Sequence, residues 1–112
     1  MRNITSSEVM TGVAAIAATL DPQVDFYLNE IRLHLSAAGG AGILTISVDS
    51  AAGAAYDVVL IPQDMTVVVD LLYIPDLKLH FAAGDKIKVV WANANARTYG
   101  VEFVYTKIAE VF

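Results

Sequence analysis

There is no cysteine among the 112 residues, which excludes disulfide staples and thiolate metal centres together. Charge is scarce as well. Asp, Glu, Lys and Arg make up 17% of the chain, few to cover the surface of a small monomer. The seven basic residues are scattered and outnumbered by twelve acidic ones, so no nucleic-acid partner is expected. A long apolar run is also missing. The most apolar N-terminal stretch, Val9 to Leu20, is broken by Gly12 and is about half of the ~20 residues a membrane span requires. With Glu8 ahead of it and Arg2 the only early cation, it does not read as an export signal either, and no membrane partner is expected. Catalytic signatures are absent too: no G-x-S-x-G elbow, no cysteine nucleophile, no phosphate-binding glycine loop. Nothing singles out one pair of acids for glycoside cleavage. The expectation is a protein that is not an enzyme and carries no cofactor.

What the chain has is alternation. Leu77, Leu79 and Phe81 alternate with Lys78 and His80; Ile87, Val89 and Trp91 with Lys88 and Val90; Val101, Phe103 and Tyr105 with Glu102 and Val104. A period of two puts successive side chains on opposite faces of a strand. Ala82 to Asp85 is a turn with a glycine, and Asn93 to Thr98 is a longer polar loop. Upstream, Val24 to Leu35 reads as a strand whose phase slips. Val24, Phe26 and Leu28 are even; Ile31, Leu33 and Leu35 are odd. A β-bulge near Asn29-Glu30 would restore one buried face, and a strand passing from one sheet to the other would show the same slip.

Further strands are expected at Ile43 to Asp49, at Tyr56 to Ile61 ending at Pro62, and at Met65 to Ile74. The last is apolar almost throughout, which predicts cover on both faces. Seven to eight strands at about ten-residue spacing predict an all-β, antiparallel β-sandwich of jelly-roll type. One domain of residues 24–112 is expected, preceded by an N-terminal arm or edge strand at 1–23.

The remaining polar residues have structural explanations. His34 and His80 fall on strand faces opposite the leucines, without the spacing of a zinc site. Asp49, Asp57, Asp64, Asp76 and Asp85 lie at strand ends, where aspartate caps turns; the Asp-x-Asp-x-Asp-Gly calcium loop is not present. Trp91 and Tyr105 are in phase with core positions. Tyr99, beside the Asn93 to Thr98 loop, is the better candidate for the surface.

Three pieces carry a resemblance: RLHLSAA at Arg32 to Ala38, VDSAAGAAYDVVL at Val48 to Leu60, and GDKIKVVWANANARTYG at Gly84 to Gly100. Together they resemble small β-sandwich virion structural proteins of tailed bacteriophages. The resemblance spans most of residues 24–107 and leaves 1–23 unmatched. It implies a particle component without choosing among capsid, neck and tail.

Composition points the same way. A hydrophobic fraction of 56% and a mean hydropathy of +0.56, even with much of the excess in alanine, suit a chain that buries surface against copies and partners. The expectation is a capsid decoration (cement) protein. It would form a homo-oligomer, with a trimer favoured, and contact the major capsid protein or other virion proteins. Its place would be the virion, on the capsid surface rather than the neck or tail, after synthesis in the host bacterial cytoplasm. Candidate subunit contacts are Val9, Val13, Ile16, Leu20, Val68, Leu72, Ile108, Val111 and Phe112. The alternative is a carbohydrate-binding or adhesion module of a tail or head fibre, with Tyr99, Asn95 and Arg97 as glycan contacts.

Overall fold

The alternation is realised as nine strands in the computed structural model, which describes residues 2–77 and 79–109. They are β1 (Arg2–Gly12), β2 (Ile16–Leu20), β3 (Phe26–Leu35), β4 (Ile43–Asp49), β5 (Val58–Asp64), β6 (Asp70–Tyr73), β7 (Leu79–Phe81), β8 (Lys86–Trp91) and β9 (Tyr99–Ala109). One sheet, here the long sheet, runs β1-β9-β3-β6, with β7 also pairing β3; the other, the short sheet, runs β2-β8-β4-β5. Every pairing is antiparallel. Successive strands mostly pass from one sheet to the other, so neighbours in each sheet are distant in sequence. That is the connectivity of a jelly-roll sandwich.

The core lies between the sheets and is built by period two. Leu44, Ile46 and Val48 of β4, Ile87, Val89 and Trp91 of β8, and Val101, Phe103 and Tyr105 of β9 are all buried. In β3 the pairing with β9 shifts between Leu28 and Glu30, leaving Asn29 as the extra residue. The bulge puts Phe26, Leu28, Ile31, Leu33 and Leu35 on one buried face. Phe26 stacks on Phe81 with ring centroids 5.2 Å apart and meets the edge of Tyr105 at 6.2 Å.

Residues 1–23 are expected as an arm or an edge strand, and within them β1 and β2 are both edge strands: β1 pairs β9 along its whole length and β2 pairs β8, one in each sheet. Between them, Val13 to Ala15 cross the gap. Two expectations are corrected. Met65 to Ile74 is not one long covered strand. Met65 is buried, but only Asp70 to Tyr73 pair, and Val67 is 83% exposed. Apolar content alone did not distinguish a buried strand from an exposed connection. Tyr56 belongs to a 3₁₀ turn, Ala54–Tyr56, and β5 begins at Val58 and continues through Pro62. β5 is an edge strand, and there a residue without an N–H interrupts no ladder.

Candidate assembly surfaces

One end of the sandwich is closed by three loops held by side-chain amides and a guanidinium. Asn93 is buried. Its Nδ2 donates to the carbonyls of Ala14 (2.8 Å) and Arg97 (2.9 Å), and its Oδ1 accepts from the Arg97 N–H (2.9 Å). Asn95 Nδ2 donates to the Gly39 carbonyl (3.0 Å), and Arg97 Nε donates to the Ala38 carbonyl (2.8 Å). Trp91 Nε1 donates to the Ala41 carbonyl (3.1 Å). The Ser36 to Gly42 and Asn93 to Thr98 loops are therefore fastened to each other, not free.

Tyr99 is corrected as a glycan contact. Tyr99 is only 6% exposed, because it shares the core-facing phase of Val101, Phe103 and Tyr105. Asn95, which is exposed, and the half-buried Arg97 each give one donor to a backbone carbonyl. The signal was present in the alternation of Tyr99 with Gly100 and Val101, but proximity to a polar loop obscured it.

The aspartates at the turns accept backbone N–H bonds, some within one turn and some between loops. Asp57 accepts from the Ser50 N–H, Asp85 from Ala51 and Ala82, and Asp25 from Ala83. Asp64 accepts from both the N–H and hydroxyl of Thr66, and these bonds hold its carboxyl below the usual range. His34 pairs with Asp70, and His80 lies 3.8 Å from Asp25. Among the described residues no group of three or more His, Cys, Asp or Glu is placed to hold a metal.

The outer face of the long sheet carries a row assembled from four strands. Val9 of β1 opposes Glu102 of β9, Glu102 opposes Arg32 of β3, and Arg32 opposes Leu72 of β6. Arg32 donates to Glu102 and Glu30, each at 3.0 Å. The Arg32 hydrogen bonds lower the Glu30 carboxyl, and the Glu30 partner raises the Arg32 guanidinium. The next row contains Gly100, above which a side chain would meet nothing within 4 Å. The result is a depression of about 770 Å³ lined by Val9, Thr11, Arg32, Leu72, Gly100 and Glu102 among others. Two residues expected as subunit contacts, Val9 (73% exposed) and Leu72 (56%), thus share one face.

The outer face of the short sheet was not anticipated. There Ala17, Val90, Thr45 and Pro62 form one row across β2, β8, β4 and β5, with Val59 in the next. Val90, Val59 and nearby Ile43 are about half exposed or more. An ion pair, Lys88 to Asp49 at 3.2 Å, flanks the patch. The signal was legible: Val90 is the apolar residue out of phase with Ile87, Val89 and Trp91.

The other expected contacts divide. Val13 is exposed at the crossing between sheets; Val68 packs half-buried on the core; Ile108 is half-buried near the end of β9. Ile16 and Leu20 are corrected, being 1% and 0% exposed. β2 is an edge strand of the short sheet, and its inward residues are consumed by the sandwich core. Val111 and Phe112 lie outside the described residues.

Among the described residues no helix is long and apolar enough to cross a membrane. No family model and no curated protein matches the chain. Among solved structures it is similar to a chain of the virus-like particle of the extra small virus of the giant freshwater prawn Macrobrachium rosenbergii. The identity is 10%, the TM-score 0.37, and the match covers 98% of this chain and 82% of that one. At that score the likeness assigns no function.

Proposed function

We propose that this protein is a non-enzymatic structural component of a virus particle, and within that class a capsid decoration protein of the tailed-phage kind. The observation that carries the reading is the distribution of apolar surface. Large aliphatic side chains stand exposed on the outer faces of both sheets, Val9 and Leu72 on one and Ile43, Val59 and Val90 on the other. A jelly roll needs only its inner faces for folding, so exposed aliphatics in a charge-poor chain mark surface reserved for other subunits. The topology does not choose a role, since jelly rolls serve shells and lectins alike. The motif resemblance supports the virion, and the apolar rows support attachment to a shell. The short sheet's outer face is the docking face for the shell, because its row of Ala17, Val90, Thr45 and Pro62 is uncharged. Contact there removes apolar area from water at about 25 cal/mol per Å², before the costs of association.

The test is immunogold labelling of purified particles together with co-sedimentation of the wild-type protein and Val90→Lys. Label spread over the shell, and co-sedimentation lost in the variant, is the expected result. Label confined to one end of the particle refutes decoration in favour of a neck or tail role, and no label at all refutes the virion reading.

A further inference from the structure

The five strands at the sheet margins differ in how they are protected, and β7 is the shortest at three residues. An unpaired edge exposes a row of N–H and C=O groups to any other strand, and proteins blunt such edges with short strands, proline or lysine. β2 has five residues and β6 four, and β5 contains Pro62. β1 has eleven residues, no proline and no lysine. Its inner partner β9 holds all eleven in register, from Arg2 opposite Ala109 to Gly12 opposite Tyr99, so no bulge interrupts the strand and its other edge is continuous. Its exposed side chains include Ile4 (49%), Val9 (73%) and Met10 (41%).

We infer that the β1 edge pairs with the β1 edge of a second copy, antiparallel, about a two-fold axis through Ser7. This rests on the self-assembling role proposed above and specifies the contact. A two-fold axis normal to the sheet requires paired residues to share a face, so only every second register is open to it. Of these, the register centred on Ser7 places Thr5 opposite Val9 and Asn3 opposite Thr11. It pairs all eleven residues of the strand.

The same register places Ile4 opposite Met10 twice, joining two half-exposed apolar side chains, and sets Glu8 against Ser6. Moving the axis to Glu8 sets the two carboxylates against each other; moving it to Ser6 sets Glu8 against Ile4. Like charges directly opposite destabilise a pair, and apolar partners stabilise it. Full overlap, apolar matching and charge avoidance select one register. About ten backbone hydrogen bonds form across it, and the long sheets of two copies become one. A two-fold contact builds dimers, so it stands in place of the trimer expected of a decoration protein.

The chain's lack of cysteine makes the register directly readable. A disulfide needs Cα atoms about 4.4–6.8 Å apart, which both kinds of antiparallel pair satisfy. Under mild oxidation Ser7→Cys is expected to form a covalent dimer at least about ten-fold faster than Thr5→Cys, whose copies sit four residues out of register. The double variant Thr5→Cys with Val9→Cys is expected to cross-link as fast as Ser7→Cys. Ser7→Lys, which sets two ammonium groups together on an outer face away from the core, is expected to be a monomer by light scattering with an unchanged circular dichroism spectrum.

Equal cross-linking of Ser7→Cys and Thr5→Cys overturns the register. A wild-type oligomer that survives Ser7→Lys overturns the β1 contact while leaving self-assembly standing. A wild-type monomer at every concentration overturns the contact, and the shell-docking reading is then judged by co-sedimentation alone.

Discussion

Asn93 is the residue whose replacement tests most of the loop argument at once. It is the one buried polar residue among those described, at 4% exposure, and it sits at φ 49°, in the left-handed region. Its side chain donates to two carbonyls on different segments and accepts one N–H. At about 1 kcal/mol net for each bond, Asn93→Ala loses about 3 kcal/mol. Holding alanine at positive φ costs about 1 more, so the variant is expected to lose about 4 kcal/mol, a large share of a typical ~5–15.

Asn93→Gly removes the backbone cost and is expected to lose about 3 kcal/mol. Asn93→Asp keeps the acceptor for Arg97 but aims a carboxylate at two carbonyl oxygens, and is expected to be the least stable of the three at neutral pH. Burial beside two carbonyl oxygens disfavours the charged form of the introduced carboxyl, so stability is expected to return as the pH falls and the group protonates into a donor. Urea unfolding followed by the fluorescence of the single, buried Trp91 reads all three. If Asn93→Asp unfolds at the wild-type midpoint, the knot does not hold the Val13 to Ala15 crossing, and the reasoning fails.

Two further outcomes follow from packing and from charge. At Gly39 a Cβ would lie 2.6 Å from the Met65 carbonyl oxygen and 2.9 Å from the Trp91 ring. Because backbone cannot yield cheaply, Gly39→Ala is expected to cost about 1–3 kcal/mol in the same urea assay; an unchanged midpoint would show that the loop moves freely. Asp64 and Glu30 both have folded carboxyls below their usual values, set by Thr66 and Arg32. Their contribution is therefore present above the unfolded values and is lost as the pH falls through the folded ones. Stability is expected to decline on acidification below about pH 4, less steeply in Thr66→Val, as followed by thermal melts across pH. An equal decline in that variant would remove Asp64 from the account.

Much of the inner architecture was legible because a strand's side chains repeat every two residues. The slip between Leu28 and Ile31 marked an irregularity near Asn29-Glu30, which the pairing with β9 resolves as a bulge at Asn29, and Trp91 and Tyr105 declared their burial by phase. The same rule, applied without exception, would have placed Tyr99 inside and Ile16 and Leu20 on a core face. Those residues were misjudged where a neighbouring loop or a run of alanines outweighed alternation. Met65 to Ile74 failed differently, since an apolar stretch reads alike whether it is paired or exposed.

By itself the sequence determined an all-β, cysteine-free, charge-poor sandwich, because composition and period are local quantities summed along the chain. Which strands become neighbours was decided by tertiary structure alone. The row of Val9, Glu102, Arg32 and Leu72 brings together four strands from distant parts of the chain. The open edge of β1 exists because β9 pairs its other side. Hydrogen-bond registry across a sheet depends on the joint packing of every strand, and no single segment carries that information.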